Sequence, residues 1–188
     1  LDNDKIGLIV FAGDAYTQIP ITTDYISAKM FLSAIGPEMV PKQGTAIGSA
    51  IDLGMRSFTP GEGKSRAMII ITDGENHEDD PVSKAEEAAK AGIVIHTIGI
   101  GSADGVPVPV TTGGKRDYLK DNEGNTVITR LDEDILRKIA ITAGGSYVRA
   151  SNSNIGLDEV FNEIRKMKKQ ELESKMYTEY NDQFQIFA

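Results

Sequence analysis

A chain of 188 residues, 40% hydrophobic and 26% charged, is sized for one soluble domain with a sizeable core; a second full domain would leave both undersized. Its formal net charge of -8 argues against a nucleic-acid partner, which needs clustered Lys and Arg, and suits metal cations and partners with basic or neutral surfaces. The absence of cysteine removes disulfides, zinc thiolate sites and thiol catalysis, and no run approaches the roughly 18 apolar residues of a spanning helix.

The chain opens on Leu1-Asp2-Asn3-Asp4-Lys5 without an initiator Met and ends as abruptly on Phe184–Ala188, so a fragment of something longer is expected. Ile6–Phe11 is an apolar run without helical period, which reads as a buried strand, and Ala15–Ile21 follows the Gly13-Asp14 turn as its hairpin partner. Ile47, Ala50, Ile51, Gly54 and Phe58 trace the core-facing stripe of a helix. Ala67–Thr72 and Ile93–Ile98 are further buried strands. Between them Asp80 caps a helix with Pro81 in its first turn and Gly92 at its end. Pro, Gly and charge dominate 107–130, where Asp121–Asn125 reads as a turn between Tyr118-Leu119 and Val127-Ile128, so an inserted surface hairpin is expected. Asp132 opens a helix carrying Ile135, Leu136 and Ile139, and Ser146–Arg149 follows Gly144-Gly145 as a last strand. Asn152 and Asn154 read as a loop and cap. Leu157, Val160, Phe161, Ile164 and Met167 then begin a long final helix, expected over 157–178, with a tail at 179–188. Strand alternating with helix implies an α/β fold, a three-layer and mostly parallel sheet flanked by helices, within a single domain over 1–188.

Ligands of open parallel sheets bind beyond the carboxyl ends of the strands. Three polar groups fall there: Asp73-Gly74-Glu75-Asn76 after the Ile69–Thr72 strand, Gln43-Gly44-Thr45-Ala46 before the Ile47 helix, and Gly13-Asp14 after the first strand. A strand-end carboxylate and a hydroxyl at a helix start are hard oxygen donors suited to Mg²⁺. Each has a plainer reading: Thr45 could cap its helix, and Asp73 could form a turn before Gly74.

These segments resemble a known family. Ile69–Asn76 and Gly44–Gly48 are similar to two of the three loops of the metal-ion-dependent adhesion site in von Willebrand factor A-type (vWA) domains. Asp4–Tyr16 is similar to the second strand and hairpin of those domains. The likeness is strongest to the bacterial Bat (aerotolerance) members and runs on through Tyr147–Ala150 to Tyr177–Asn181. It implies that Thr45 coordinates Mg²⁺ (or Mn²⁺) directly and that Asp73 does so directly or through water. An acidic side chain of a protein partner would complete the site, with Gly44, Gly74, Glu75 and Asn76 at the rim that meets it. Asp14 and Tyr16 are weaker rim candidates.

One departure matters. The family's first strand ends in Asp-x-Ser-x-Ser, which supplies most of the protein ligands, and no such motif occurs in this chain. That strand lies between those at Ile6–Phe11 and Ala67–Thr72, so a central slot is expected. Metal affinity should be weak or absent in the fragment, because Mg²⁺ dehydrates reluctantly. The slot would be filled by a neighbouring chain, by closure, or by the apolar tail 180–187, making a strand-exchanged or edge-paired oligomer an option. The resemblance further implies a parent protein anchored in the bacterial inner membrane, its domain on the periplasmic side, working with other Bat-type envelope proteins.

Other signals fall away. Gly61-Glu62-Gly63-Lys64-Ser65 mimics the end of a phosphate-binding loop, but Phe58 stands where its first Gly belongs and the segment runs from helix to strand. Gly99-Ile100-Gly101 follows a strand, but Asp104, Pro107 and Pro109 replace the rest of a dinucleotide fingerprint. His77 among Glu75, Glu78, Asp79 and Asp80 reads as a solvated acidic loop, and His96 as a hydrogen-bonded core histidine. The favoured function is a non-enzymatic, metal-dependent protein-binding domain. The alternatives are a metal-independent scaffold and a phosphohydrolase with Asp73 as nucleophile, which would need a cationic phosphate clamp in an acidic neighbourhood.

Overall fold

A computed structural model describes residues 4–36, 40, 44–59, 65–75, 79–112, 115–120, 123–151, 155–167 and 169. Its centre is a three-stranded parallel sheet of β3 (Arg66–Thr72), β4 (Ile93–Gly99) and β9 (Tyr147–Arg149), in the order β3-β4-β9. β3 and β4 pair along their whole length, from Arg66 opposite Ile93 to Thr72 opposite Gly99. The β9 strand can approach β4 because Gly145 has no side chain: a Cβ there would lie 2.0 Å from the Ile95 carbonyl oxygen.

Pairing in register sends Met68, Ile70, Ile93, Ile95 and Thr97 to one face and Ile69, Ile71, Val94, His96 and Ile98 to the other. The first face meets α2 (Ile47–Ser57), α3 (Pro81–Lys90) and α4 (Glu133–Thr142). Ile47, Ile51, Ile70, Ala85, Ala88, Ile93, Ile95, Leu136 and Ile139 form the core there, and the Thr97 hydroxyl is satisfied by donating to the Leu136 carbonyl at 2.9 Å. A final helix, α5, over 157–167 covers part of the second face and buries Val160 completely. That cover stops short of β3. Ile98 is fully buried, while Ile71, its register partner, is 44% exposed.

β1 (Ile6–Phe11) and β2 (Ala15–Thr22) form a separate antiparallel hairpin. Among the described residues β1 pairs only with β2, and β3 only with β4, so their facing edges share no ladder. Among the described residues no strand joins β1 to β3, where the absent first strand was expected to lie, and the tail 180–187 offered as a filler lies outside them. Helix α2 bridges the two strands: a Cβ on Gly54 would lie 2.4 Å from Met68 Sδ of β3 and 3.8 Å from Ile9 Cδ1 of β1. Ala46 N also donates to the Ala12 carbonyl at 2.7 Å, tying the start of α2 to the end of β1.

The structure adds one helix and refines the insertion. α1 (Tyr25–Ser33) is capped by Asp24, whose carboxylate accepts from Ile26 N and Ser27 N at 3.1 and 3.0 Å. It escaped the sequence pattern because only Ala28 is buried, with Ile26, Met30 and Leu32 exposed. The segment 107–130 is two small ribbons, not one hairpin. β5 (Val106–Pro107) pairs with β8 (Ile128–Thr129), and β6 (Pro109–Thr112) with β7 (Lys115–Tyr118). They are stitched by Leu119 N to Val108 O and Val127 N to Leu119 O, both 2.8 Å. The expected tail and the later turns of the last helix lie outside the described residues, as do Asn152 and Asn154.

His96 is 2% exposed. Its Nδ1 accepts from Ser146 N at 3.2 Å and lies 2.9 Å from Ser146 Oγ, so the ring proton sits on the buried Nε2. Burial pushes its pKa below the ordinary 6.5, against a smaller opposing pull from Glu163. The folded chain then binds fewer protons than the unfolded chain. Its stability contribution is whole above pH 6.5 and is lost as pH falls from 6.5 toward the lowered value. Thermal melts of the wild type should fall across that window, and His96→Gln should flatten the dependence. Leu136→Ala, a truncation at the centre of the core, should cost about 2–5 kcal/mol in urea denaturation.

Candidate functional site

The carboxyl ends of β3 and β4 form a rim with the start of α4, and the start of α2 is joined to it through Asp79 of the β3–α3 connection. Asp73 follows β3 directly, and its backbone carbonyl accepts from Asp132 N, the N-cap of α4, at 2.9 Å. Its side chain is half-buried, with Oδ1 accepting from Glu75 N at 3.3 Å and lying 3.4 Å from Thr72 Oγ1. Oδ2 has no partner among the described residues. Burial, with a smaller contribution from the charge of Glu75, holds the Asp73 carboxyl above the usual carboxylate range, while its hydrogen bonds pull the other way. Such a group is partly desolvated and has no counter-charge among the described residues.

Thr45 precedes α2 and is half-buried. It does not cap the helix. The N-cap is Ala46, which has no side chain to serve, and the capping carboxylate comes from Asp79. Asp79 Oδ1 accepts from Gly48 N at 3.0 Å and Oδ2 from Ser49 N at 2.7 Å. Gly48 makes this approach possible, since a Cβ there would lie 2.9 Å from the carboxylate carbon. The reading of Asp79 as part of a solvated acidic loop is thereby corrected: it is half-buried and fully engaged. Its signal was the sequence Asp79-Asp80-Pro81, where one Asp is enough to cap α3. Asp80 does that by accepting from Ser83 N at 3.1 Å, leaving its neighbour for another helix. The Thr45 side chain has no hydrogen-bond partner among the described residues.

The other rim residues divide. Gly74 adopts φ +79, and a Cβ there would lie 2.6 Å from the Asp132 carbonyl oxygen. Its identity is thus required by packing. Gly44 adopts φ +127 and is exposed. Glu75 Oε1 accepts from Arg130 N at 2.7 Å, which ties the Asp73 loop to the base of the inserted ribbons. One of its two carboxylate oxygens is therefore structural. A cleft beside it is lined by Glu75, Arg130, Asp132 and Asp134. Asp14 and Tyr16 are exposed on the hairpin. Asn76, His77 and Glu78 lie outside the described residues, as does the 60–64 stretch.

The fit of a divalent cation is partial. Among the described residues Thr45 offers an uncommitted hydroxyl and the half-buried Asp73 a carboxylate oxygen without a partner, both hard donors of the kind Mg²⁺ takes. Among the described residues no group of three His, Asp or Glu side chains gathers to hold a metal by itself.

Comparison with known proteins agrees with the fold. The sequence matches the von Willebrand factor type A domain family over residues 1–163. Among solved structures the chain is similar to a conserved hypothetical protein BatB from Bacteroides thetaiotaomicron. The identity is 56% and the TM-score 0.85, covering 90% of this chain and 82% of that one. It is also similar to an aerotolerance-related membrane protein from Bacteroides fragilis NCTC 9343 solved with multiple mutations to serines. There the identity is 51% and the TM-score 0.82, covering 88% of this chain and 81% of that one. An uncharacterized protein of Borreliella burgdorferi is 31% identical over 111 residues, 55% of this chain, and the match spans 30% of that relative's length. With the family matched over most of the chain and its parallel sheet and rim in place, the protein belongs to the von Willebrand factor A domain family, close to the BatB-type aerotolerance proteins.

Proposed function

We propose that this domain binds a protein partner through a divalent cation, Mg²⁺ or Mn²⁺, held at the rim by Thr45 and Asp73. A carboxylate of the partner supplies a further ligand. The observation that carries the reading is two oxygens uncommitted among the described residues: Oδ2 of the half-buried Asp73, without a counter-charge there, and the Thr45 hydroxyl, relieved of capping by Asp79. A carboxylate left desolvated and unpaired costs stability, and a bound cation offsets that cost. Glu75 and Arg130, joined at the base of the inserted ribbons, border the surface that the partner meets.

The relatives give the setting. One is described as a membrane protein related to aerotolerance, and no described helix of this chain is long and apolar enough to cross a membrane. We place the parent protein in the bacterial inner membrane, with this domain on the periplasmic side among other Bat-type envelope proteins. It acts as a binding module and performs no chemistry of its own.

Calorimetry with Mg²⁺ and Mn²⁺ tests the cation. The 188-residue chain, with Thr45 and Asp73 as its protein donors on the rim, should bind weakly. A version extended upstream by the family's Asp-x-Ser-x-Ser strand should bind tightly, and Asp73→Ala should abolish that binding. In metal-free buffer Asp73→Asn should not lower the melting temperature, because it removes a desolvated charge and keeps the turn geometry. In added Mg²⁺ the same variant should lose the stabilisation that the wild type gains. A partner retained in chelator, and retained by a Thr45→Ala, Asp73→Ala double variant, would leave a metal-independent scaffold in place of this reading.

A further inference from the structure

We propose that Asp79 is a positioning residue for the rim: its carboxylate fixes where α2 begins, and so fixes Thr45 relative to Asp73. The proposal rests on the reading of Thr45 and Asp73 as cation ligands and adds the device that holds them in register. Thr45 immediately precedes the N-cap Ala46, so its place on the rim follows the first turn of α2. Its N-cap, Ala46, supplies no side-chain hydrogen bond to that turn. The turn is held by two charge-assisted hydrogen bonds from a residue about 30 positions away, at 3.0 and 2.7 Å. The negative charge also complements the positive end of the helix dipole.

The origin of that carboxylate is what couples the two ligands. Asp79 lies six positions after Asp73 on the same β3–α3 connection. The next residue, Asp80, caps α3 through Ser83 N at 3.1 Å. Two consecutive carboxylates thus pin the far end of the connection to two different helices. Its near end is pinned by the backbone bond from Asp132 N to the Asp73 carbonyl, 2.9 Å. Ala46 N to Ala12 O, 2.7 Å, fixes the other side of Thr45. Opening the Asp79 contact leaves two first-turn N–H groups unpaired and frees Thr45 from the Asp73 loop. By thermodynamic reciprocity, a cation held by both loops tightens the Asp79 contact, and the contact tightens the cation.

Mn²⁺ titration of the whole chain, read by the electron paramagnetic resonance of the free ion, measures the affinity even where it is weak. Asp79→Ala should lower that affinity about 10- to 100-fold, as removal of outer-shell support does. Asp79→Asn, which keeps one acceptor, should recover part of it and serves where the alanine variant does not fold. Ile139→Val, a core change away from the rim, should leave the affinity unchanged and controls for lost stability. Amide exchange at Gly48 and Ser49 gives a readout that a purely structural cap would not move: Mg²⁺ should raise their protection in the wild type and not in Asp73→Ala. Asp79 variants that bind Mn²⁺ like the wild type, while Asp73→Ala does not, overturn the role of Asp79 and leave the site standing. Mn²⁺ binding that is indifferent to Thr45→Ala and Asp73→Ala, or absent also from the version extended upstream by the family's Asp-x-Ser-x-Ser strand, overturns the site and the proposal with it.

Discussion

The organisation of this molecule depends on the parallel pairing of β3 with β4. Seven register pairs, Arg66 with Ile93 through Thr72 with Gly99, bring both strands to an end at one level. The helices that connect parallel strands must return to the opposite end of the sheet, so the next chain segments leave from that level as loops. Asp73, Gly74 and Glu75 leave β3 there, Ile100 and Gly101 leave β4, and the start of α4 arrives beside them, with the start of α2 joined through Asp79. The rim is a consequence of strand geometry before it is a site, and its hydrogen bonds run between loops that the sheet has already brought together.

Much of this was written in local pattern. The three apolar runs, Ile6–Phe11, Ala67–Thr72 and Ile93–Ile98, are strands with boundaries close to those expected, because β-branched runs with no helical period have few other stable fates; the first, read as buried, is only partly so and pairs antiparallel with β2 outside the parallel sheet. The Asp80-Pro81 and Asp132 starts are helix caps as read, and the stripe Ile47, Ala50, Ile51, Gly54 faces the core. Helix α1 was not legible, since amphipathic period is the signal and its apolar residues point mostly to solvent. The division of 107–130 into two ribbons was not legible either. Short strands with little burial are decided by long-range backbone pairing, such as Val108 with Leu119 and Val127, which leaves no mark on the sequence.

For the site, sequence proximity identified the right residues and could not apportion their work. Thr45 looked like a cap because it stands where caps stand. The cap is supplied from about 30 residues away, and that leaves the hydroxyl uncommitted among the described residues. Gly74 looked like part of a recognition loop, and its lack of a side chain is demanded by the Asp132 carbonyl behind it. Glu75 looked wholly available and has one oxygen bound to the backbone of the insertion. In each case the deciding contact is tertiary, between groups whose separation in sequence hides them from one another.

The β1–β2 hairpin stands outside the main ladder and, among the described residues, is attached through α1, α2 and the backbone bond from Ala46 to Ala12. Elements secured by so few cooperative contacts open at lower free energy than the body they lean on. Subglobal opening of this domain should therefore start at its N-terminal side, with the Asp79 bonds to Gly48 and Ser49 holding the start of α2 to the body. Sites of proteolytic nicking follow the same hierarchy, with the hairpin yielding while the β3-β4-β9 sheet stays closed. Anything that fastens the start of α2 to the rim also raises the resistance of a segment it never touches.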